Sequence, residues 1–512
     1  MNWFKLRGTK VSASVILASS LMLAACSGAK DNGGGRQSDS PSGDVKAASS
    51  LAPYEINIYI PGKMSKEVGT VEQAINAYLK DKINATVKLN FTEWANYTTK
   101  TNLMITSGEK FDLMYTANSY GFANEVAKGT YLQLDDLIAK YGQDILKNLA
   151  PVYVKGSKIN GKMYGVPSNK EYAASQTLLV RKDLMQKYNL DPSKIKTYHD
   201  FTDWFKVIKD GEPNITPFAG VGDGSSIMAS LFELFNGDYF GVLDKSANDL
   251  KVIDAFSNPK YLEALHQLRD WYNAGYIIKD AATTQVTRDE YMKNGKVFSF
   301  MVSSKPGIDK EKSLTTGMDL QQVDFSEPYS TTADVTGAIL AVSRTSADPE
   351  RVVKFLNLLY SDKTLLNMID WGIEGKHYVK VSDNVIDFPP GLNSQTVGYS
   401  AQGDQWIFGN QFNSYVLKTE DPHKWDKFKQ FNDSAKVSKA MGFIFDPTPV
   451  QNEINACAII YNQYRAGLLS GSLDLDKNLP VMVEKLKSNG LDKIIAEKQK
   501  QLDKWAQTNA NK

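Results

Sequence analysis

Hydrophobic and polar positions along the first part of the chain alternate with two different periods. Residues 54–60 (YEINIYI) and 87–91 (VKLNF) alternate with period two, which is typical of β-strands. Apolar residues recur at helical spacing over residues 71–79, and a second helix is predicted over residues 97–106. The apolar run at residues 111–115 predicts a third short strand. Strands separated by helix-length segments predict right-handed crossovers and a parallel sheet.

The same alternation continues through the rest of the chain. It predicts strands at residues 178–180, 297–302 and 337–342, and helices over residues 201–208, from Pro259, from Asp348 to about Asp370, and over residues 478–512 with a break at Gly490. No internal repeat is present. At this length, two α/β lobes are expected rather than one.

Candidate binding residues follow the predicted strands near the N-terminus. In an open parallel sheet, ligands bind beyond the carboxyl ends of the strands. Trp94 follows the strand at residues 87–91, and Asn118 and Tyr120 follow the strand at residues 111–115. Trp and Tyr present a flat apolar face with a polar edge, which suits sugars. The alternative for each of these residues is an ordinary loop role.

A second group of candidates lies later in the chain. Trp371 and Glu374 are each followed by a glycine, and a tight loop there would place an aromatic face beside a carboxylate. The alternative is a helix end with Trp371 packed inward, and the residues leave both possibilities open. Trp406 has the same ambiguity. Asp334 precedes a predicted strand, from which it could project into a cleft.

No catalytic or metal-binding motif is present in the sequence. The four histidines lack metal-ligand spacing, and there is no H-E-x-x-H, G-x-S-x-G or Walker motif. The glycine-rich run at residues 220–225 (GVGDGS) lacks the spacing of a dinucleotide fingerprint and favours a loop with a helix N-cap. A glycosidase would need two carboxylates at a defined separation, which a sequence does not give. We therefore expect no enzymatic activity, no cofactor and no metal.

Charge and cysteine content exclude further classes of protein. With 59 Lys and Arg against 58 Asp and Glu, the net charge is +1. A nearly neutral chain argues against nucleic-acid binding and against a broad electrostatic attachment to anionic lipid. Apart from Cys26, the chain has one cysteine, Cys457, in an apolar stretch that favours a buried thiol.

The N-terminal residues have the features of an export signal. Residues 1–10 include basic side chains, and residues 11–24 form an apolar run that is too short for a permanent membrane anchor. Leu23-Ala24-Ala25-Cys26 resembles the lipobox of bacterial lipoproteins, in which cleavage precedes the Cys and its thiol receives a lipid. The expected signal peptide is therefore 1–25, followed by a lipid on Cys26 and a Gly/Ser-rich flexible tether over 26–50. The alternative is a plain secretory signal with an incidental Cys.

From Leu51 onward the chain resembles the solute-binding proteins of ABC importers, specifically the large Gram-positive lipoproteins of the carbohydrate-binding branch. The resemblance is carried by residues 159–167 (INGKMYGVP), Gly295-Lys296, residues 371–378 (WGIEGKHY), residues 406–411 (WIFGNQ), Phe445-Asp446-Pro447, Gln463-Tyr464-Arg465 and Glu497-Lys498-Gln499. It implies a periplasmic-binding-protein-like (type II) α/β fold, with two lobes, a hinge and a ligand cleft between the lobes.

The resemblance also implies a division of the chain and a function. Lobe 1 would comprise residues 51–170 and 281–333, and lobe 2 residues 171–280 and 334–512. The protein would be a lipid-anchored, monomeric receptor on the outer face of the cell membrane that captures an oligosaccharide and delivers it to ABC permease subunits. The alternatives are a surface-anchored hydrolase or lyase acting on glycans, and the same receptor fold binding a peptide or another solute.

Overall fold

The computed structural model describes residues 51–400 and 403–510. The predictions of a signal peptide, of a lipid on Cys26 and of a tether lie outside these residues. Within them the chain forms sixteen strands: β1 (Tyr54–Pro61), β2 (Ala85–Thr92), β3 (Leu113–Thr116), β4 (Gly165–Pro167), β5 (Ser175–Arg181), β6 (Thr216–Phe218), β7 (Phe232–Leu234), β8 (Val242–Asp244), β9 (Val297–Ser304), β10 (Leu320–Asp324), β11 (Tyr329–Ser330), β12 (Ile339–Val342), β13 (Val379–Lys380), β14 (Val385–Asp387), β15 (Val416–Leu417) and β16 (Lys436–Val437).

The same residues form nineteen α-helices. In chain order these are α1 (Val68–Ile83), α2 (Trp94–Ser107), α3 (Phe122–Ala127), α4 (Asp135–Tyr141), α5 (Gln143–Asn148), α6 (Pro151–Gly156), α7 (Lys182–Lys187), α8 (Phe201–Gly211), α9 (Gly224–Leu231), α10 (Pro259–Asn273), α11 (Arg288–Lys293), α12 (Ile308–Thr316), α13 (Thr332–Val335), α14 (Pro349–Ser361), α15 (Lys363–Trp371), α16 (Lys424–Ser434), α17 (Gln451–Leu469), α18 (Leu475–Ser488) and α19 (Leu491–Ala510).

Lobe 1 is built on a five-stranded sheet in the order β2-β1-β3-β12-β4. As the alternation predicts, β1 pairs in parallel with both β2 and β3. β12 enters between β3 and β4 and is antiparallel to both. The alternating residues Ile56, Ile58 and Ile60 of β1 are at most 1% exposed and form part of one large hydrophobic core with α1, α14 and α15.

Lobe 2 is built on a separate four-stranded sheet in the order β10-β5-β9-β6. β5 is antiparallel to β9 and to β10, whereas β6 is parallel to β9. A second large core lies on one face of this sheet and includes residues of α8, α10 and the C-terminal helices α17 to α19. A smaller core on the other face includes Met292 of α11 and packs against Ile308 of α12.

The chain crosses between the lobes three times, through residues 168–174, 325–338 and 435–439. The crossing segments are bonded to each other, because β11 is parallel to β16 and Ala174 bridges to Tyr329. We call this paired structure the connecting ribbon. Since all three crossings belong to one ribbon, a change in the angle between the lobes would bend a single element.

The buried side chain of Asn432, near the end of α16, stabilises the connecting ribbon through two hydrogen bonds. Its Oδ1 accepts the backbone N–H of Tyr172 at 2.8 Å, and its Nδ2 donates to the carbonyl oxygen of Lys170 at 2.8 Å. The first crossing is therefore bonded to the helix that precedes the third crossing, in addition to its strand pairing with the second.

The predicted assignment of residues 281–333 and 334–512 to the lobes is wrong. β9 and β10 lie within residues 281–333 but belong to the sheet of lobe 2, whereas β12, α14 and α15 lie after residue 333 but belong to lobe 1. The physical reason is that β9 is buried on both faces and needs a partner on each side, which β5 and β6 provide. The Gly295-Lys296 motif therefore precedes a central strand of lobe 2 and not a return to lobe 1.

The single helix predicted from Asp348 to Asp370 is two helices, α14 and α15. The chain leaves the helical conformation at Asp362, where φ is −103° and ψ is 97°. The carboxylate of Asp362 then accepts the N–H groups of Thr364 and Leu365 and caps α15. The predicted break at Gly490 is confirmed, since it separates α18 from α19.

Candidate functional site

The two lobes face each other through the sheet edges at which the crossing segments begin and end. In lobe 1 this edge holds the carboxyl ends of β1, β2, β3 and β4. In lobe 2 it holds the start of β5 and the ends of β9 and β10, which are antiparallel to β5. Because residues 168–174 join β4 directly to β5, these edges border the interlobe cleft.

Four aromatic side chains cluster at the cleft edge of lobe 1. Trp94 and Trp406 are stacked, with ring centroids 5.8 Å apart and planes 14° apart. Tyr115 meets both indoles edge-on at 5.7 and 6.0 Å, and Tyr120 lies 6.3 Å from Trp94. Tyr115 is buried, whereas the other three are partly exposed. We call these four residues the aromatic platform.

Local structure places each exposed ring of the aromatic platform. Trp94 is the first residue of α2, directly after β2. Tyr120 ends a 3₁₀ turn that begins at Asn118, and Gly121 closes this turn in the left-handed conformation with φ 74°. Trp406 lies in a second 3₁₀ turn. A hydrogen bond from the hydroxyl of Ser168 to the carbonyl oxygen of Ile407 stabilises this turn.

A carboxylate fixes the orientation of the Trp94 indole. The indole N–H lies 3.2 and 3.3 Å from the two carboxylate oxygens of Asp404. Burial raises the pKa of Asp404, and the bond from Trp94 opposes this shift. Gly62, with φ 132°, comes so close that a Cβ there would lie 2.9 Å from Asp404 Oδ2. The positive φ and this close approach both favour glycine at the end of β1.

The spacing of the two indoles decides how a ligand could use the aromatic platform. A ring inserted between two others needs contacts of about 3.5–4.0 Å on each side, or roughly 7–8 Å between the flanking rings. The separation of Trp94 and Trp406 is 5.8 Å, which is too small for such an insertion. A flat ligand would therefore stack on an outer surface of the pair, with one indole supporting the other.

Charged side chains lead from the aromatic platform into the connecting ribbon. The ammonium group of Lys170 lies 5.9 Å from the ring centroid of Trp406 and 3.3 Å from a carboxylate oxygen of Glu171. Burial alone would raise the pKa of Glu171. The positive charges of Lys170 and Lys305 have the larger, opposite effect, so that the pKa of Glu171 is lowered. Since Lys305 follows the end of β9, this chain of charges reaches lobe 2.

The structure brings three of the sequence-predicted residues, Trp94, Tyr120 and Trp406, into one cluster. Asn118 begins the turn that carries Tyr120, and its backbone N–H donates to the carbonyl oxygen of Thr336 at 3.0 Å. Sequence reasoning missed Tyr115, Asp404 and Lys170. The first two had a usable signal, because Tyr115 lies in the predicted strand that precedes Tyr120 and Asp404 is two residues before Trp406.

Asp334 lies at the end of the second crossing and not in the aromatic platform. Its carboxylate accepts the backbone N–H of Thr331 at 2.8 Å and the hydroxyl of the same residue at 2.6 Å, which caps α13. Burial raises the pKa of Asp334, while Lys245 of lobe 2 and Lys170 oppose this shift. The position of Asp334 therefore suits a role in the connecting ribbon.

Trp371 and Glu374 are also placed away from the aromatic platform. Trp371 is 7% exposed and packs with Tyr378, Ile386 and Tyr415 in a separate small core. Glu374 pairs with Lys380 at 3.0 Å on the surface. The structure therefore shows the alternative in which Trp371 packs inward at a helix end. Trp371 is the last residue of α15 and lies on the buried side of that helix.

Two family models match the chain. One is described as bacterial extracellular solute-binding protein and matches residues 64–364, and the other, a domain of unknown function (DUF3502), matches residues 439–507. A protein of Streptococcus pneumoniae named carbohydrate ABC transporter substrate-binding protein is 30% identical over 98% of this chain and 99% of its own length. The chain belongs to the bacterial extracellular solute-binding proteins.

Other relatives of this solute-binding protein have known structures or names. It resembles the crystal structure of the N-glycan transport solute binding protein (NgtS) from Streptococcus pneumoniae, with a TM-score of 0.78 and 27% identity over 89% of this chain and 99% of that chain. NgtS has also been solved in complex with Man1GlcNAc and with Man5GlcNAc, with TM-scores of 0.68 and 0.65 to this chain. Lipoprotein LipO of Bacillus subtilis is 22% identical over 57% of this chain and 61% of its own length.

Family membership settles two of the sequence-based predictions. The α/β fold of the periplasmic-binding-protein type is confirmed by the structural match to NgtS. The prediction of a binding protein rather than an enzyme is confirmed as well, since the relatives are substrate-binding proteins of transporters. Within residues 51–400 and 403–510, no three His, Cys, Asp or Glu side chains are grouped to hold a metal ion, and no helix has the length and apolar character of a membrane span.

The small core around Trp371 in this solute-binding protein contains a fully buried carboxyl, Asp370. Its Oδ2 accepts the hydroxyl of Ser414 at 2.7 Å and the amide of Gln411 at 3.2 Å. Burial raises the pKa of Asp370 to about 8, and these hydrogen bonds only partly oppose the shift. Asp370 is therefore largely protonated at neutral pH in the folded protein.

Asp370→Asn should flatten the dependence of folding stability on pH. An unfolded Asp titrates near pH 4. The protonated carboxyl of Asp370 therefore makes its full contribution to the free energy of unfolding below about pH 4. This contribution is lost as the pH rises towards 8, by no more than about 1.4 kcal/mol per pH unit. Urea unfolding at pH 5, 6.5 and 8 measures this loss in the wild type and its absence in the variant. Asp387→Asn, which changes a surface carboxylate paired with Lys418, is the control that should keep the wild-type slope. Parallel profiles for wild type and Asp370→Asn would contradict the assignment.

Proposed function

We propose that this protein is the receptor of an ABC importer and captures an oligosaccharide in the cleft between its lobes. The observation that carries the proposal is the aromatic platform with Asp404 at the cleft edge of lobe 1. Sugar rings have apolar faces formed by C–H groups, which stack on indoles, and hydroxyls, which bond to carboxylates. A micromolar dissociation constant corresponds to about −8 kcal/mol, which a few such contacts can supply after the cost of closure.

We further propose that the ligand is a mannose-containing fragment of an N-glycan. The support is the similarity to NgtS, at 27–28% identity over about nine-tenths of this chain, together with the Man1GlcNAc and Man5GlcNAc complexes of that protein. Ligand binding would bend the connecting ribbon and close the lobes, and the closed form would be the one that the permease recognises.

Titration calorimetry of the full-length protein tests the binding proposal. Man5GlcNAc should bind with a micromolar or lower dissociation constant, while a peptide of similar mass should not bind. The glycan recovered after overnight incubation should be chemically unchanged. Binding of the peptide alone would favour the other solute class, and released monosaccharide would favour the glycan-degrading enzyme.

The membrane attachment of this receptor is proposed from its N-terminal sequence. Leu23-Ala24-Ala25-Cys26 resembles a lipobox, and the name of LipO supports the same attachment for a relative. Lipid on Cys26 would hold the receptor near its permease.

Cys26→Ala should release the receptor from the membrane into the medium, because the lipid has no other attachment point in the proposed site. Fractionation of cells followed by immunoblotting measures the change, and Ser27→Ala is the matched control that should stay with the membrane. Glycan affinity should be the same in the released and the anchored protein. Retention of the Cys26→Ala protein in the membrane fraction would contradict the anchoring proposal.

A further inference from the structure

Three polar side chains lie together on lobe 2 at the edge that borders the cleft. Gln322 donates its side-chain amide to Ser304 Oγ at 2.7 Å and to the carboxylate oxygens of Asp324 at 3.0 and 3.1 Å. Ser304 is the last residue of β9, and Asp324 is the last residue of β10. All three are carried by strands of one sheet, so their relative positions are rigid.

Strand register places these side chains on one face of the sheet. Ser304 is opposite Ser175 of β5, Asp324 is opposite Thr177, and Gln322 is opposite the next alternate residue of the same strand. Alternate residues of a strand point to the same face. The apolar core on this face ends before the strand edge, and polar side chains continue from it to the cleft.

The polar group is connected to the aromatic platform across the connecting ribbon. Lys305 follows Ser304, and its ammonium group lies 5.8 Å from the ring centroid of Phe428 in α16. Lys305 also lowers the pKa of Glu171, which pairs with the Lys170 that lies over Trp406. Charged groups therefore lie between the platform of lobe 1 and the strand ends of lobe 2, where Lys305 pairs with Glu311 at 3.2 Å.

The surroundings of Asp324 are those of a cleft wall. Its side chain is exposed to solvent, yet neighbouring protein atoms desolvate the carboxyl enough to raise its pKa. An accessible group with many protein neighbours lies on a concave surface and not on a protruding one. A ligand held by the aromatic platform could reach this carboxylate when the lobes close.

The hydrogen bonds within the group determine what it can offer to a ligand. Ser304 Oγ accepts from Gln322, and its own O–H is directed at the Asp324 carboxylate, whose pKa it lowers. Thr177 and Ser175 of β5 also direct their hydroxyls at the Asp324 carboxylate, which stays accessible to solvent. Gln322 and Ser304 therefore act as positioning residues, which fix the accessible carboxylate of Asp324 as a charged acceptor.

We infer that Ser304, Gln322 and Asp324 form a second binding surface, which takes neighbouring hydroxyls of a neutral sugar when the lobes close. This inference rests on the proposed oligosaccharide function and extends it to lobe 2. Two adjacent sugar hydroxyls can donate to the two carboxylate oxygens of Asp324, which Gln322 and Ser304 hold in position. A carboxylate in this position would repel uronic or sialic acid residues, so the surface selects against acidic glycans.

Calorimetry of the full-length protein with Man5GlcNAc tests the second binding surface. Asp324→Ala should weaken binding about 10- to 100-fold, because a hydrogen bond to a charged group is worth about 1.5–3 kcal/mol. Asp324→Asn keeps one acceptor oxygen and should retain an intermediate affinity. Gln321→Ala changes the neighbouring side chain on the opposite face of β10 and should leave the affinity unchanged. Thermal unfolding of the same variants verifies that each is folded.

The outcomes separate this inference from the proposed function. If Asp324→Ala binds Man5GlcNAc as wild type does, while alanine at Trp406 abolishes binding, the second binding surface is wrong and the oligosaccharide function stands. If the wild type binds neither Man5GlcNAc nor any other neutral oligosaccharide, both proposals fail. A gain of affinity for a sialylated glycan in Asp324→Asn would support the predicted selection against acidic sugars, and its absence would contradict that part.

Discussion

Replacing both Trp94 and Trp406 by alanine should abolish oligosaccharide binding. Each indole buries about 150–250 Å² when packed, and truncation of an aromatic anchor at a binding site costs about 2–4 kcal/mol. Because the two rings support each other at 5.8 Å, the loss of one also removes the support of the other. The combined loss would be at least half of the roughly −8 kcal/mol of a micromolar complex, so calorimetry should show no binding.

Conservative variants separate loss of stacking from loss of structure. Trp94→Phe and Trp406→Phe keep an aromatic face, and each should weaken binding less than the alanine variant at the same position. Trp94→Phe also removes the N–H that bonds to Asp404, so it should cost more than Trp406→Phe. Unfolding temperatures above the assay temperature are required of every variant. Wild-type affinity in the folded double alanine variant would exclude the aromatic platform as the binding site.

Lys498→Met should destabilise the folded protein by about 3–5 kcal/mol. The side chain of Lys498 is fully buried in lobe 2, and its ammonium group lies 2.6 Å from a carboxylate oxygen of Asp238. It also donates to the carbonyl oxygens of Phe235 and Gly241 at 3.3 and 3.1 Å. Removing one partner leaves a buried carboxylate and two carbonyl groups without their donor, which is the costly way to break such a pair.

Two matched variants test whether the cost comes from the unpaired carboxylate. Lys500→Met removes a surface ammonium that pairs with Glu497 at 2.9 Å and should change stability by about 1 kcal/mol or less. Combining Asp238→Asn with Lys498→Met should recover part of the lost stability, since no buried charge remains. Urea unfolding measures all of these values. Equal stability of the Lys498→Met and Lys500→Met proteins would contradict the structural role of the buried pair.

The local elements of this fold follow closely from residue patterns. The period-two run at residues 54–60 is β1, and the helical spacing over residues 71–79 is the centre of α1. These predictions succeed because one face of each element is buried, so apolar residues recur in the sequence with the period of the strand or helix. The prediction joined α14 and α15 into one helix because the sequence allows Asp362 both inside a helix and as a helix cap. Only its contacts in the folded protein show that it is a cap.

The division of the chain between lobes could not be predicted in the same way. β9 and β12 are both largely apolar strands buried on both faces, so neither pattern indicates which sheet the strand joins. That choice depends on pairing with distant strands, such as β5 for β9 and β3 for β12. A resemblance carried by short motifs gives the order of the elements but not their partners.

The aromatic platform was predictable only in part, for the same physical reason. The strand-end rule pointed to Trp94 and Tyr120 because these residues lie two and four residues after the ends of β2 and β3. Asp404 lies 310 residues from Trp94 in the sequence, and no local pattern joins the two. The sequence leaves a buried and a cleft position open for both Trp371 and Trp406, but the first ends the buried side of a helix and the second lies in a partly exposed turn.

The single cysteine within residues 51–400 and 403–510 makes lobe motion directly measurable. Cys457 is buried, its thiol lies 3.6 Å from the carbonyl oxygen of Leu486, and burial raises its pKa to about 11. Such a thiol does not react with maleimide or thiosulfonate labels at neutral pH. Cysteines introduced at Leu103 on α2 and Leu314 on α12, which are 69% and 70% exposed, would then be the accessible labelling sites in this part of the chain. Spectroscopic distances between the two labels can follow opening and closing in an otherwise native protein.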